Sequence, residues 1–309
     1  MPNLLFMELW QSLVAVLISS SIAIGAYRKK SLSLSGAISG FLVFFIHLAV
    51  NLRFGAILLV FFLTSSKLTK VGEEKKRKID DEHKDGGQRN WFQDTFIHIS
   101  IIADLDSTRV QVLFNSAIAT ALALAYWKVS GGEDKCLNSK ESLFLTSLAG
   151  GILGHYSCCI GDTWSSEIGV LSNAQPRLIT TLKRVQAGTN GGVTMAGLAA
   201  AAAGGALVGV VYFVVGCFTA KCAFDVAMRQ LLAVPFASFA GLFGSVVDSL
   251  LGATLQFSGR CSVRKKIVAK PGPTVKKISG LGVLDNNLVN LVSVLVTTLL
   301  SAIACTYVF

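Results

Sequence analysis

Apolar residues fall into blocks, the third of them short and the others about 17–25 long, the length that carries an α-helix across a roughly 30 Å hydrocarbon layer. The blocks lie near 9–27, 33–50, 53–66, 110–127, 143–160, 192–216, 231–254 and 288–309. Within lipid each block must satisfy its own backbone hydrogen bonds, which a helix does and an isolated strand does not. The pattern therefore predicts an all-α polytopic transmembrane helix bundle of about eight spans, a single integral membrane domain covering 1–309. Small residues such as Gly204, Gly205 and Gly209 suit close helix contacts in a membrane. Two polar stretches interrupt the pattern, a charged loop at 67–109 and a basic loop at 255–287.

Composition narrows the class further. Only 15% of the residues are charged and the mean hydropathy is +0.60, which excludes an ordinary soluble domain. The loops after the first, third, fifth and seventh spans carry 22 of the 28 basic residues, and the opposite loops carry 6. This split predicts that the basic loops are cytoplasmic and the N-terminus lies on the other side. The first apolar block has no basic residue before it, and Arg28, Lys29 and Lys30 follow it, so it reads as an uncleaved first span. The net charge of +10 thus reports orientation, and nucleic-acid binding is not expected because no aromatic residues interleave the tethered cations. The seven cysteines show no Cys-x-x-Cys spacing and read as buried free thiols, with Cys217 and Cys222 a conceivable short-range pair. The expected location is integral and multi-pass, in the plasma membrane or an endomembrane.

Four polar regions could carry chemistry, all on the side expected to be cytoplasmic. In the first, Lys67 closes the third span and Arg89 stands in Gly86–Trp91. Both are candidates to contact phosphate, with snorkelling and a solvated loop as the alternatives. In the second, Asp162, Ser166 and Glu167 lie in Gly161–Gly169 directly after the fifth span. Carboxylates at a membrane edge need pairing, water or metal, and Mg²⁺ commonly takes one or two from protein; a helix cap at Asp162 is the alternative. In the third, Lys183 precedes Gly188, Thr189, Asn190 and Gly191, where glycine backbone before a helix N-terminus suits an anion as well as an ordinary turn. The fourth combines Asp248 inside the seventh span with Asp285, Asn286, Asn287 and Asn290 at the eighth. An aspartate inside a span is a functional candidate, whereas Asp285 could equally cap its helix.

Taken in order, the strings SSKLTK, GGQRNW, GDTWSSEIG, PRLITT, GTNGGVT, GSVVDS with LGAT, and LDNN with Val289-Asn290 resemble the transmembrane protein 19 family, also described as domain of unknown function 92. The resemblance covers about Lys29 to Val292. It implies a multi-pass membrane protein, and a related branch includes the phytyl-phosphate kinase of the vitamin E pathway. Carried onto this chain, that branch matches at Asp162, Ser166, Glu167 and Gly169, at Thr180, Lys183, Gly188, Thr189 and Gly191, and at Asn286, Asn287 and Asn290. Asn190 stands where the kinase branch tends to have an acid. A probable insertion at 93–109 separates GGQRNW from the next span, and its apolar stretch Phe96–Ile102 is too short to cross a membrane.

Two functions compete. One is an Mg²⁺-dependent isoprenoid- or lipid-phosphate kinase using CTP or another nucleoside triphosphate as co-substrate. In it Asp162, Glu167 and Asp285 hold metal, Lys183 and the 188–191 loop hold phosphates, and Lys67 or Arg89 clamps the acceptor. The other is a non-catalytic membrane protein, a transporter or signalling component. A polar cluster open to one face and to lipid favours the enzyme, and a continuous polar path favours transport.

Overall fold

The computed structural model describes residues 2–29, 34–74, 76 and 107–309. Arg89 and almost all of the 93–109 insertion lie outside the described residues. Eight long helices are present among those described: α1 (Pro2–Arg28), α2 (Leu34–Val50), α3 (Leu52–Lys70), α4 (Ser107–Ser130), α5 (Leu143–Leu171), α6 (Met195–Thr219), α8 (Ala233–Leu255) and α9 (Asn286–Val308). A short α7 (Phe224–Arg229) runs through a 3₁₀ turn into α8. Among the described residues, five helical segments are long and apolar enough to cross a membrane: Leu52–Lys70, Leu143–Leu171, Met195–Thr219, Phe224–Leu255 and Asn286–Val308.

Helix α5 is the axis of the bundle. Its apolar stretch is 78% buried against 39–44% for the other four, and it packs on α3, α4, α6, α8 and α9. Ser142 starts it as a side-chain cap on the Leu145 N–H. From there it continues to Leu171, so Gly161–Gly169 is part of the helix and not a loop following the fifth span. Twenty-nine residues reach about 43 Å, enough to cross the hydrocarbon and extend two turns beyond it. The extension stays helical because Gly169 packs beside Thr194 and Gly197 at the start of α6.

Glycines set the helix separations. A Cβ at Gly161 would lie 2.5 Å from the Gly241 carbonyl oxygen, and one at Gly209 would lie 2.5 Å from that of Ala233. α5 and α6 therefore meet α8 backbone to backbone, the contact that small residues permit in a membrane. Gly209→Val is expected to cost about 1–3 kcal/mol, because the added atoms meet main chain that cannot rotate away. Thermal melting of the detergent-solubilised variant checks this, and an unchanged midpoint would contradict it.

The two ends of the bundle differ in character. At one end the stretch expected to be the basic loop 255–287 forms an antiparallel sheet ordered β4-β3-β5, from β3 (Ser258–Cys261), β4 (Ile267–Val268) and β5 (Val275–Ser279). Beside it β1 (Arg177–Leu178) pairs with β2 (Gly192–Val193). Outside the bilayer the backbone can find partners across strands, which is why, among the described residues, sheet appears in these polar segments.

At the other end a disulfide joins Cys136 to Cys222, which corrects the expectation of free thiols and of a Cys217–Cys222 pair. Cys136 follows α4 and Cys222 follows α6, so 86 residues of sequence hid two cysteines that the topology brings together. Cys158 and Cys305 are buried free thiols as expected, Cys159 is half-buried, and Cys217 is exposed.

Candidate functional site

A cavity of about 70 Å³ opens between α1, α2, α3, α4, α5 and α9. Most of its wall is apolar, including Val43, Phe44, Leu58, Phe61 and Phe62, and its polar side is built from His155, Asp162, Thr163, Asn290 and Ser293. Immediately behind lies Asp248 of α8. Ser293 Oγ donates to Asp248 Oδ2 at 3.3 Å, and with the Asn290 amide turned so that both its ends are satisfied, its nitrogen donates to the same oxygen at 2.9 Å and to the Asn286 carbonyl at 3.1 Å. The Asp162 and Asp248 carboxylates lie within each other's electrostatic reach. The α5–α8 contact at Gly161 and Gly241 brings the two helices together beside Asp162, and Asp248 follows about two turns further along α8.

The depth follows from helix geometry. At 1.5 Å per residue, Asp162 lies about 28 Å from the disulfide end of α5, and Asp248 about 22 Å from the same end of α8. Asn290 and Ser293 fall within the first two or so turns of α9, which begins at the basic end. The polar cluster therefore occupies the half of the bundle nearest the basic loops. Gln256 carries it outward: its Nε2 donates to Asn286 Oδ1 at 3.3 Å, and its Oε1 lies beside Gly252, which also adjoins Asn190 and Gly191.

Other predicted site residues have structural partners. Glu167 is buried and ion-pairs with Lys76 at 2.5 Å. Lys76 is itself buried and donates to the Leu68 and Thr69 carbonyls at the end of α3. Asp285 is the N-cap of α9, accepting from the Asn287 and Leu288 N–H groups at 3.1 and 2.9 Å. Among the described residues no three His, Cys, Asp or Glu side chains gather as a metal cluster, so Asp162, Glu167 and Asp285 do not form one.

The glycine loop is similarly engaged. Gly188 and Gly191 adopt φ of +87° and +74°, which glycine alone adopts at little cost. The Thr189 and Gly192 N–H groups donate within the turn, and the Asn190 N–H donates to Ser258 Oγ at 3.0 Å. The Asn190 side chain reaches the Phe257 carbonyl, and Thr189 is buried with its hydroxyl on Gln186. This loop anchors the sheet to α8 and has few donors left for an anion. Lys67, Ser166 and Lys183 are exposed, with the Ser166 hydroxyl on the Thr163 carbonyl. Asn287 is buried and its side-chain oxygen has no hydrogen-bond partner among the described residues.

The seal at the disulfide end was not legible in the sequence. Arg53 is 1% exposed, donates from Nε to Asp134 Oδ2 at 2.8 Å and stacks over Tyr212 at 4.8 Å. Asn51 caps α3 and donates to Asp134 Oδ1 at 2.9 Å, while Thr219 donates to Oδ2. Gln230 exchanges two 2.9 Å bonds with the backbone of Leu137. Between this seal and the cavity stand Phe54 and Ile57, both buried. Deeper in the bundle Tyr156 OH and His47 Nε2 pair at 2.7 Å.

These features define a polytopic α-helical membrane protein with an amphiphilic cavity in one half. The chain belongs to the DUF92 family of integral membrane proteins, whose family model matches residues 17–298. It is similar to Protein PGR of Arabidopsis thaliana, 60% identical over 295 residues that make up 96% of each chain. It is also 26% identical to an uncharacterized membrane protein of Methanocaldococcus jannaschii, over 80% of this chain and 84% of that one. A further uncharacterized membrane protein, from Synechocystis, is 26% identical over 83% of this chain and 87% of its own. No solved structure matches the chain.

Proposed function

We propose that the protein binds an isoprenoid or related lipid monophosphate, with the head-proximal end of its tail in the apolar cavity, the rest of the tail in the surrounding lipid and its phosphate at Asp162, and that it catalyses phosphoryl transfer from a nucleoside triphosphate. The observation that carries this reading is the shape of the cavity: aromatic and aliphatic walls end at one polar side in the half nearest the basic loops. An amphiphile needs such a site, since its tail seeks lipid-like surroundings while its head seeks hydrogen bonds and charge. The basic end is proposed as cytoplasmic, where nucleotide is available. The disulfide at the opposite end supports that orientation, because disulfides persist in oxidising compartments.

In the proposed reaction an oxygen of the lipid phosphate attacks the γ-phosphorus of the nucleotide. One P–O bond forms, the bridging P–O bond breaks, and the nucleoside diphosphate leaves with the electron pair. No protein nucleophile is needed, which suits a site of carboxylates, amides and hydroxyls. Asp162 and Asp248 with the Asn290 side chain fit Mg²⁺, which takes few carboxylates and prefers oxygen. Glu167 and Asp285 fit it less well, being engaged with Lys76 and the helix cap. When bound, the ion would offset charge on the phosphoryl oxygens. Thr163 and Ser293 would orient the lipid phosphate, and the nucleotide would approach past Gln256 and Asn286. The seal at the other end argues against transport as the first function.

The test uses purified protein in lipid with Mg²⁺, labelled CTP or ATP and a panel of isoprenoid monophosphates. Lipid diphosphate is the expected product. Folded protein that consumes no nucleotide with any acceptor would end the kinase reading.

A further inference from the structure

The outer surface of the basic end repeats one arrangement three times. The hairpin closed by Leu178 and Lys183 presents Leu182, 63% exposed, beside Lys183 and Arg184. The hairpin closed by Cys261 and Lys266 presents Val263, 73% exposed, beside Arg264 and Lys265. After β5, with its exposed Lys276 and Lys277, Gly280 and Gly282 (both φ +76°) turn the chain so that Leu281 and Val283 stand 69% and 66% exposed. Leu182 and Lys265 both hold φ of +56°, a conformation uncommon for residues with a Cβ, so both tips are shaped at some backbone cost. Gln186 Nε2 donates to the Lys265 carbonyl at 3.4 Å and joins the first two hairpins.

Charge on this surface has one sign. Residues 172–194 and 256–285 hold ten Lys and Arg, and their sole carboxylate is Asp285, which caps α9. An ordinary solvated surface intersperses both signs and keeps aliphatic side chains off its loop tips. Aliphatic tips flanked by cations match an anionic bilayer interface, where methyl groups enter the headgroup layer and cations meet phosphates. A soluble polyanion would use the cations but gains nothing from four exposed aliphatic side chains.

We propose that this cap is a docking surface for anionic lipid headgroups, seated through Leu182, Val263, Leu281 and Val283 and held by the flanking Lys and Arg residues. This inference is independent of the catalytic proposal, since it uses none of the cavity residues and predicts binding without turnover.

The experiment reconstitutes the full chain in phosphatidylcholine nanodiscs with or without phosphatidylserine and follows backbone hydrogen exchange at 180–185, 262–266 and 281–283. Exchange in the anionic discs is expected to slow by roughly five-fold for each cation engaged, and the protection should disappear at high salt. Lys183→Glu combined with Lys265→Glu and Lys276→Glu should remove it while exchange in α5 and α8 stays unchanged. Leu182→Ser with Val263→Ser, which keeps every charge, should reduce it as well. Equal exchange of the wild-type chain in both discs would overturn the proposal without needing any variant. Protection by free nucleoside triphosphate in neutral discs, with no response to phosphatidylserine, would overturn it by assigning the surface to soluble phosphate.

Discussion

Asp162→Ala is expected to lower the rate of lipid-phosphate phosphorylation by about 10²–10³, the usual loss when one preorganised electrostatic group is removed from a reacting phosphoryl or acyl centre. Asp162 borders the cavity, and its helix is held against α8 by backbone contact, so the carboxylate position does not depend on a mobile loop. Alanine leaves that helix contact intact, because Gly161 makes it. Melting should therefore move little while turnover collapses. Glu167→Gln should behave in the opposite way. It leaves Lys76 buried without its charge partner and destabilises the end of α3, and any loss of activity should follow the loss of folded protein. Measuring kcat and melting for both variants separates the two roles. Equal kinetic loss with unchanged melting would return Glu167 to the reacting centre.

Arg53→Ala is expected to produce the largest loss of stability, about 3–5 kcal/mol, because Asp134 would stay partly buried without its cation. The guanidinium also fills the space left by Gly216, where a Cβ would lie 2.8 Å from Cζ, so truncation opens a void as well. Arg53→Met combined with Asp134→Leu should recover much of the loss, since replacing both members of a buried pair removes the stranded charge. Thermal melting of the three proteins in one detergent checks this. A single variant as stable as the wild type would mean that the pair contributes nothing to the seal.

Fold and site were legible in the sequence to different degrees, for physical reasons. Apolar block length is a local property fixed by bilayer thickness, so each expected block coincides with a helix. Asp248 stood out for a local reason too, as a carboxylate inside an apolar run. The partner of each charge is a property of topology. Nothing around Glu167 announces Lys76, which sits far away in a mixed-charge run of the sequence, and Arg53 counted only as a loop charge until Asp134 met it. Asp285 carried two readings from its position before a helix, and its two backbone hydrogen bonds favour the cap. Thr189 to Gly191 show the same limit, because a glycine turn that could receive phosphate also serves to seat a strand against Ala253 and Ser258.

The central claim is that the cavity holds the head-proximal end of a lipid tail whose phosphate lies at Asp162. Photo-crosslinking with an isoprenyl monophosphate carrying a small diazirine on its first isoprene unit, followed by peptide mapping, tests it most directly. Labelling is expected at Val43, Phe44, Phe61 and Phe62, and it should be suppressed by unlabelled isoprenyl monophosphate and weakened in Asp162→Ala. Labelling confined to outward-facing residues such as Leu17, Phe239 or Leu299, and insensitive to competitor, would contradict the account.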